Sequence, residues 1–562
     1  MEIHKTMKAH TIVSILFTIL LLTGCADTND DPMGDIILPD TLDLVIISTT
    51  DVHGWIMSWD YYADQPEERY GLVKAATIID SVRNEHEFTL LLDGGDWLQG
   101  SPLVEYYATV DTSLPHPFLQ AVDYLQYDAV VLGNHEFDFS VDLLNQRIRE
   151  TETPIIGANM YHHGTDEPAY TPYVIRSFGD LQIGIVGLNT PGTAVWNRPR
   201  VENRLDFVDG VEAAKRFVPK VKDEGADVVI ALAHTGLEGG STYGIADIGE
   251  ENYGRELGET VEGIDHLVLG HHHRIIESTI ITGPDGRDVG IVMAGGRAAY
   301  VGVSTLTITF DESTSNWKVI DQKSEVLPVA HAEPHRGLVE LVEDAHERVR
   351  DHVNQPIATT PERWSAERGR IEDTPVIDLI QHVQKKETGA QLSAAAAFDT
   401  RVEFGPGDIS LRQIAQLYPF ENTLYKMEVT GKQVREYLEY TSQYYLQAED
   451  GQPAEVNPDW PGYNYDMLAG VEYTLDLRNP VGERVVELTR DGVPVADDDV
   501  FTMAINSYRA VGGGGFDMLA DAKVLQEIDR SVRGMIVDFL REKGEIRPED
   551  VYEENWRLVP EM

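Results

Sequence analysis

Five apolar runs in the first half of this chain each end in residues of the kind that bind metals, and that repetition constrains the fold more than any other feature. Leu42–Ser48 is followed by Thr49-Thr50-Asp51-Val52-His53-Gly54, and Phe88–Leu92 by Asp93-Gly94-Gly95-Asp96. Ala129–Leu132 leads into Gly133-Asn134-His135-Glu136-Phe137-Asp138. Val228–Leu232 leads into Ala233-His234, and His266–Leu269 into Gly270-His271-His272-His273. Short β-branched runs between longer amphipathic stretches read as strands of an α/β domain, with Ile183–Leu188 another of them. In such folds the carboxyl ends of strands converge on one rim, where sites form. Residues more than two hundred positions apart, such as Asp51 and His273, then meet. A single Asp-x-His is a loop accident and a single Gly-Asp a turn; five strand-end motifs in series are neither.

The donors are imidazole, carboxylate and one amide oxygen without thiolate, a set suited to Mn, Zn, Fe, Co or Mg. The candidates Asp51, His53, Asp96, Asn134, His234, His271 and His273 are too many for one ion. Two divalent metal ions are therefore expected, with Asp96 as the bridging carboxylate. In Asp51-x-His53 and His271-x-His273, alternate residues of an extended segment aim at the same point. Such a pair of ions clamps the attacking and leaving oxygens of an in-line displacement at phosphorus. His135 is read as catalytic and not ligating: with Asn134 coordinating, it points at the substrate. There it stabilises phosphoryl charge or protonates the leaving oxygen, oriented by Asp138. His272 is read as a neighbour of the ligands, Glu136 as a brace for its loop, and His162-His163 as a solvated pair.

Composition narrows the function classes. With 45 Lys plus Arg against 95 Asp plus Glu, the net charge of −50 repels phosphate backbones, so no binding of nucleic-acid polymers is expected. Small phosphorylated substrates remain open, because a bound metal reverses the local sign. The single cysteine, Cys25, excludes an intramolecular disulfide, a cysteine zinc cluster and thiol catalysis in the folded body. Lys5 and Lys8 precede an apolar run, Thr11 to Leu22, that reads as a secretory signal. It runs into Leu22-Thr23-Gly24-Cys25, which resembles a bacterial lipobox, whose cysteine is lipid-modified after cleavage. The expectation is an exported, membrane-anchored lipoprotein, periplasmic or on the cell surface.

Residues 1–25 are thus the signal and 26–41 an acidic tether with Asp27, Asp30, Asp31 and Asp35. The chain of 562 residues needs two or three cores. Residues 42–330 form the first domain and 357–562 the second, joined over 331–356. There Leu338, Val342, Ala345 and Val349 share one helical face, which fits a linker helix and equally a packing helix of either domain. In the second domain Thr423–Val429 reads as a strand and Lys432–Leu446 as a helix.

The order Asp-x-His, Gly-Asp, Gly-Asn-His-Glu, Ala-His, Gly-His-x-His resembles the calcineurin-like metallophosphatases. That resemblance implies a β-sandwich flanked by helices within an α/β (α+β) architecture. It places Asp51, His53, Asp96 and His273 at one metal, and Asp96, Asn134, His234 and His271 at the other. His135 and Asp138 match the family's catalytic pair. In the second domain, Tyr418-Pro419-Phe420-Glu421-Asn422-Thr423-Leu424 and the segment Asn506–Phe516 set aromatics beside hydrogen-bonding groups. A base-stacking clamp requires this, although core aromatics would look alike. Beside the first domain, they resemble the C-terminal domain of the 5′-nucleotidase family, a second α/β nucleotide-binding domain. The resemblance implies that Phe420 and Tyr508 sandwich a base, that Asn422 and Arg401 bind substrate, and that this domain rotates to deliver it.

Gly514 stands where 5′-nucleotidases carry an aspartate that holds the ribose, and the arginine pattern of that family is indistinct around Arg363–Arg370. Asn506-x-Tyr508-Arg509-Ala510, Tyr61-Tyr62 and Tyr463-Asn464-Tyr465-Asp466 resemble instead the 2′,3′-cyclic-nucleotide 2′-phosphodiesterase/3′-nucleotidase branch. The expected function is a two-metal phosphoesterase acting on extracytoplasmic 2′,3′-cyclic nucleotides and 3′-nucleotides. The alternatives are a 5′-nucleotidase or nucleotide-sugar hydrolase, and a non-catalytic surface nucleotide-binding lipoprotein. The intact ligand series with both His135 and Asp138 argues against the last.

Overall fold

The structure, a computed structural model, describes residues 38–240, 248–449, 452–520 and 522–560. Cys25, the signal and nearly all of the tether lie outside the described residues. No helix among the described residues is long and apolar enough to cross a membrane.

The strands of the two large sheets of the first half begin with β1 (Thr41–Thr49), β2 (Phe88–Asp93), β3 (Ala129–Val131), β4 (Ile155–Ile156), β5 (Tyr173–Phe178) and β6 (Leu181–Asn189). They continue with β7 (Val228–His234), β8 (His266–Leu269), β9 (Ile275–Thr282), β10 (Asp288–Ala294), β11 (Tyr300–Asp311) and β12 (Asn316–Pro328). They form two six-stranded sheets, ordered β12-β11-β1-β2-β3-β4 and β9-β10-β8-β7-β6-β5. Alternation along each strand explains the sandwich. Leu44 and Ile46 of β1 meet Ile183, Ile185, Ile230 and Val268 of the opposite sheet. Val45 and Ile47 turn to the helices on the outer face. Likewise Val229 and Ala231 of β7 lie under the helices Gly210–Asp223 and Gly254–Thr260. Covered on both faces, these strands carry continuous apolar runs.

β1, β2 and β3 run parallel in one sheet, and β6, β7 and β8 in the other. The ligand-bearing loops leave the carboxyl ends of these strands, and every ligand candidate is therefore carried to the same rim. The helix expected after Pro334 runs over Arg336–Val353. Its Leu338, Val342, Ala345, Val349 and Val353 are buried in the core of the metal-bearing half. Asp64 of that half bonds Arg350 and Asn354. Of the two readings of this helix, packing against the first half describes it.

The second half is built on a five-stranded sheet, ordered Asp466–Ala469, Leu392–Ala396, Val500–Asn506, Thr423–Thr430, Lys523–Ser531. Thr430 opens the following helix with a reciprocal cap to Gln433. That helix stops at Thr441, short of the expected Leu446, and gives way to a 3₁₀ turn over Ser442–Tyr444. Several polar contacts join the halves. The Gln99 amide donates to the Pro419 carbonyl at 3.2 Å, and Arg412 to the Tyr62 carbonyl at 3.0 Å. Arg533 is ion-paired with Glu105 of the first half, at 2.8 Å, and with Glu421 of its own.

Candidate active site

The rim gathers Asp51, His53, Asp96 and His273 into one group and Asp96, His234 and His271 into a second, with ligand atoms within 4.8 Å of one another in each. Asp96 belongs to both. Asn134 Oδ1 lies 3.2 Å from His234 Nε2. Five of the seven candidates hold left-handed backbone: Asp51, His53, Asp96, His271 and His273 have φ of 50°, 48°, 62°, 72° and 53°. Strain of this kind persists where surrounding structure over-determines a functional geometry. Gly133 shows how tight the rim is, since a Cβ there would come within 2.2 Å of Asp96 Oδ1.

The hydrogen bonds fix which imidazole nitrogens face inward. His234 Nδ1 donates to the Gly94 carbonyl at 2.6 Å, and His53 Nδ1 to the Gln99 carbonyl at 2.9 Å. A carbonyl only accepts, so Nδ1 carries the hydrogen and the neutral ring directs the Nε2 lone pair into the cluster. There His234 Nε2 stands 3.1 Å from Asp96 Oδ2, and His53 Nε2 stands 3.0 Å from His273 Nε2. Acceptors facing acceptors call for a cation between them. Burial opposes protonation of His234, yet Asp96 outweighs it and lifts the ring to about 9. A proton would fill that position where a metal does not. His53, buried and beside His273, is instead pushed down to about 3. The donor set thus fits two divalent ions that share Asp96, the pairing used by calcineurin-like phosphoesterases.

His135 belongs to neither group, although its backbone N–H donates to Asp96 Oδ1 at 2.9 Å. Its Nδ1 lies 2.6 Å from Asp138 Oδ2, and Asn197 donates to the other carboxylate oxygen at 2.7 Å. Burial works against the charged ring, but Asp138 and Asp96 raise it to about 10. Glu136 is fully buried and accepts from the backbone N–H groups of Asp96, Trp97, Leu98 and Gly133. It thereby ties the β2 and β3 loops together, the bracing role read from the sequence. His272 stacks on His271, and the exposed His163 pairs with Asp206.

Beside the metal rim opens a cavity of about 420 Å³ lined by both halves. His53, His135 and His273 form part of its wall, with Phe398, Arg401 and Phe420 from the second half. Phe420 meets Phe398 edge-on at 5.1 Å. Arg401 is held by Asp399 at 2.6 Å. Tyr508 is not part of this wall: its ring tilts against Trp196, 6.3 Å away, and Trp196 in turn stacks on His271. Asn422 follows the aromatic loop and accepts through its backbone carbonyl from Val532. Phe420 and Arg401 are thus brought to the cavity, whereas Tyr508 and Asn422 are not among its lining residues.

Other residues here lie outside the five strand-end motifs. Glu251 lies 3.1 Å from His271 Nε2, from a loop between β7 and β8. Gln99 links a ligand candidate to the second half, accepting from His53 and donating to Pro419, the neighbour of Phe420. Trp55, Tyr62, Tyr70, Arg297 and Arg370 line the cavity. Only their meeting across two halves marks them.

Fold and site together define a metal-dependent phosphoesterase. Residues 44–274 match the calcineurin-like phosphoesterase family, and residues 356–521 match the 5′-nucleotidase C-terminal domain. A 2′,3′-cyclic-nucleotide 2′-phosphodiesterase/3′-nucleotidase of Haemophilus influenzae is 31% identical, over 92% of this chain and 88% of that protein. The chain belongs to the family of that enzyme, a calcineurin-like phosphoesterase domain joined to a 5′-nucleotidase C-terminal domain. The trifunctional nucleotide phosphoesterase protein YfkN of Bacillus subtilis is 29% identical over 92% of this chain, which spans 39% of its length. Among solved structures, a putative 5′-nucleotidase from Staphylococcus aureus matches with a TM-score of 0.77 and 25% identity, over 92% of this chain and 99% of that one.

Proposed function

We propose that this enzyme hydrolyses 2′,3′-cyclic nucleotides and 3′-nucleotides to nucleoside and phosphate. The observation that carries the reading is the shared carboxylate Asp96 between two ligand groups, opening beside His135 on a cavity faced by Phe420. In this assignment Asp51, His53, Asp96 and His273 hold one divalent ion, and Asp96, Asn134, His234 and His271 the other. When bound, the ions supply Lewis acidity to the phosphoryl oxygens and an acidified water. His135, charged and aligned by Asp138, faces the scissile bond and gives its proton to the departing ribose oxygen. For a cyclic substrate, one water cleaves the bond to O2′ and a second cleaves the bond to O3′. Phe420 stacks on the base and Arg401 engages an anionic group, while Tyr508 and Asn422 complete the clamp once the second half shifts.

Gly514 supports the cyclic branch over the 5′-nucleotidase reading. It has φ +76°, and a Cβ there would stand 2.4 Å from Arg509 Nη1 and 2.8 Å from Asn464 Oδ1. An aspartate is poorly accommodated at that point. The second reading, a 5′-nucleotidase, rests on the match of residues 356–521 to that family's C-terminal domain. Phosphate release by the body lacking Met1–Cys25 decides between them, with 2′,3′-cyclic AMP, 3′-AMP, 5′-AMP and a nucleotide sugar, each with Mn, Co, Zn or Mg. Preference for the first two is expected, with activity abolished by chelation and restored by Mn or Co. Preference for 5′-AMP reverses the choice, and full activity in excess chelator after dialysis rejects the two-metal reading.

The same proposal takes residues 42–330 as the metal unit and 357–562 as the substrate unit, with 331–356 between them. It also takes Cys25 as the lipid-bearing residue of an exported, membrane-anchored protein. Cys25→Ser should release active enzyme from membranes; a serine variant that still sediments with them after high-salt washing rejects the anchor.

A further inference from the structure

Three guanidinium groups, Arg297, Arg370 and Arg401, line the cavity of a chain whose net charge is −50. Their surroundings differ. Arg401 is neutralised by Asp399, with contacts at 2.6 and 3.0 Å. Arg370 donates only to carbonyls, those of Ala397 and Phe398. Arg297 comes from the opposite half. Its N–H donates to the Asp51 carbonyl at 2.7 Å, and a Cβ at the preceding Gly296 would stand 3.2 Å from His273 Cγ. This backbone is therefore anchored against two ligand candidates. The Arg297 guanidinium lies 5.5 Å from the Trp55 ring and 5.7 Å from the Tyr70 ring. Among the described residues it has no ion pair and no side-chain hydrogen bond. Asp60, the other carboxylate of the wall, accepts from the N–H groups of Tyr62 and Ala63.

Stacking on aromatic faces orients a guanidinium while leaving its N–H fork free. A free, oriented fork matches two oxygens of a phosphate. A nucleotide with one phosphate delivers that group to the metals, and the cleft still holds uncompensated positive charge on both halves. We propose that Arg297, with Arg370 of the second half in the same cavity wall, binds a second phosphate of the substrate. A nucleotide with a second phosphate then binds more tightly than its one-phosphate counterpart. The proposal takes its nucleotide class from the proposed function, while the role of Arg297 rests on its placement. The second phosphate belongs either to a nucleoside 3′,5′-bisphosphate or to a 5′-diphosphate.

The test measures inhibition of bis(p-nitrophenyl) phosphate hydrolysis by the Mn-loaded enzyme, a reaction that needs no base site. Inhibitors are adenosine 3′,5′-bisphosphate against 3′-AMP, and ADP against 5′-AMP. Arg297→Gln should reduce the preference for the two-phosphate member of one pair by roughly ten- to a hundredfold. Arg297→Lys should retain part of it, and Arg370→Gln should reproduce the loss from the other half. The pair affected identifies the source of the second phosphate. Equal losses on both members, or an unchanged ratio in both pairs, overturn the proposal. Failure of the wild type to turn over 3′-AMP would sink the substrate reading above, and these inhibition ratios would still decide on Arg297.

Discussion

In the metal-bearing half, seven candidate ligands come from five strand ends; six fall into two groups sharing Asp96, and Asn134 lies beside His234. In the second half, Arg401, Phe420, Asn422 and Tyr508 come from separate loops, and only Arg401 and Phe420 reach the cavity. The first arrangement is internal to one sandwich, whose parallel strands hold the rim in register. The second depends on how two bodies meet. A site split this way divides the labour: the candidate metal ligands come from one half, and part of the cavity wall comes from the other.

The comparison is challenged hardest at His135. If the metal rim is self-contained, His135→Ala should lower turnover by roughly 10²–10⁴-fold, the scale of a positioned acid or electrostatic group. Metal content should stay near that of the wild type, because His135 belongs to neither ligand group. Loss of a metal equivalent in this variant would make it a ligand and dissolve the distinction.

A smaller effect tests the other side. Phe420 walls the cavity while Tyr508 rests against Trp196. Phe420→Ala should therefore cost nucleotides about 1–3 kcal/mol of stacking, seen mainly as a higher KM. An aryl phosphodiester without a base should be hydrolysed almost as before. Tyr508→Ala should cost as much only if the second half rotates to bring its ring onto the base. Equal losses on nucleotide and aryl substrates would put both rings in the structural core.

The same contrast decides what was legible in the sequence. Asp51, His53, Asp96, Asn134, His234, His271 and His273 could be read because each follows a buried apolar run, and strand ends converge by rule. His135 and Asp138 lie three residues apart on one turn, so local spacing alone pairs them. Glu251 and Asn197 were invisible, since neither follows a strand end and their partners lie far along the chain. Arg297 does follow the end of β10, but its left-handed backbone and its perch over Trp55 and Tyr70 arise from tertiary packing. The Arg336–Val353 helix was legible as a helix from its apolar face. Which core would bury that face was not, because periodicity says nothing of the partner.

A last test compares two buried carboxylates, one in each half. Around the rim, burial raises Asp96, but His234 and His135 outweigh it and hold it well below the ordinary value. In the second half, burial and the neighbouring Asp373 push Asp378 up to about 8. Asp378 accepts from the Glu553 N–H at 2.8 Å, and Asp373 from that of Asn555 at 2.9 Å. The pair pins the segment that leads into the last strand, Trp556–Val559. The folded state thus retains a proton that the unfolded chain releases near pH 4. The stability linked to that proton is fully present below pH 4 and is lost as pH rises towards 8, beyond which the slope ends. Asp378→Asn keeps an acceptor for Glu553 and removes the ionisation. Its advantage over the wild type should grow between pH 4 and pH 8 to on the order of a few kcal/mol. Thermal unfolding of both proteins across that range measures it. A difference in Tm that does not vary with pH would mean that Asp378 is compensated after all, as Asp96 is.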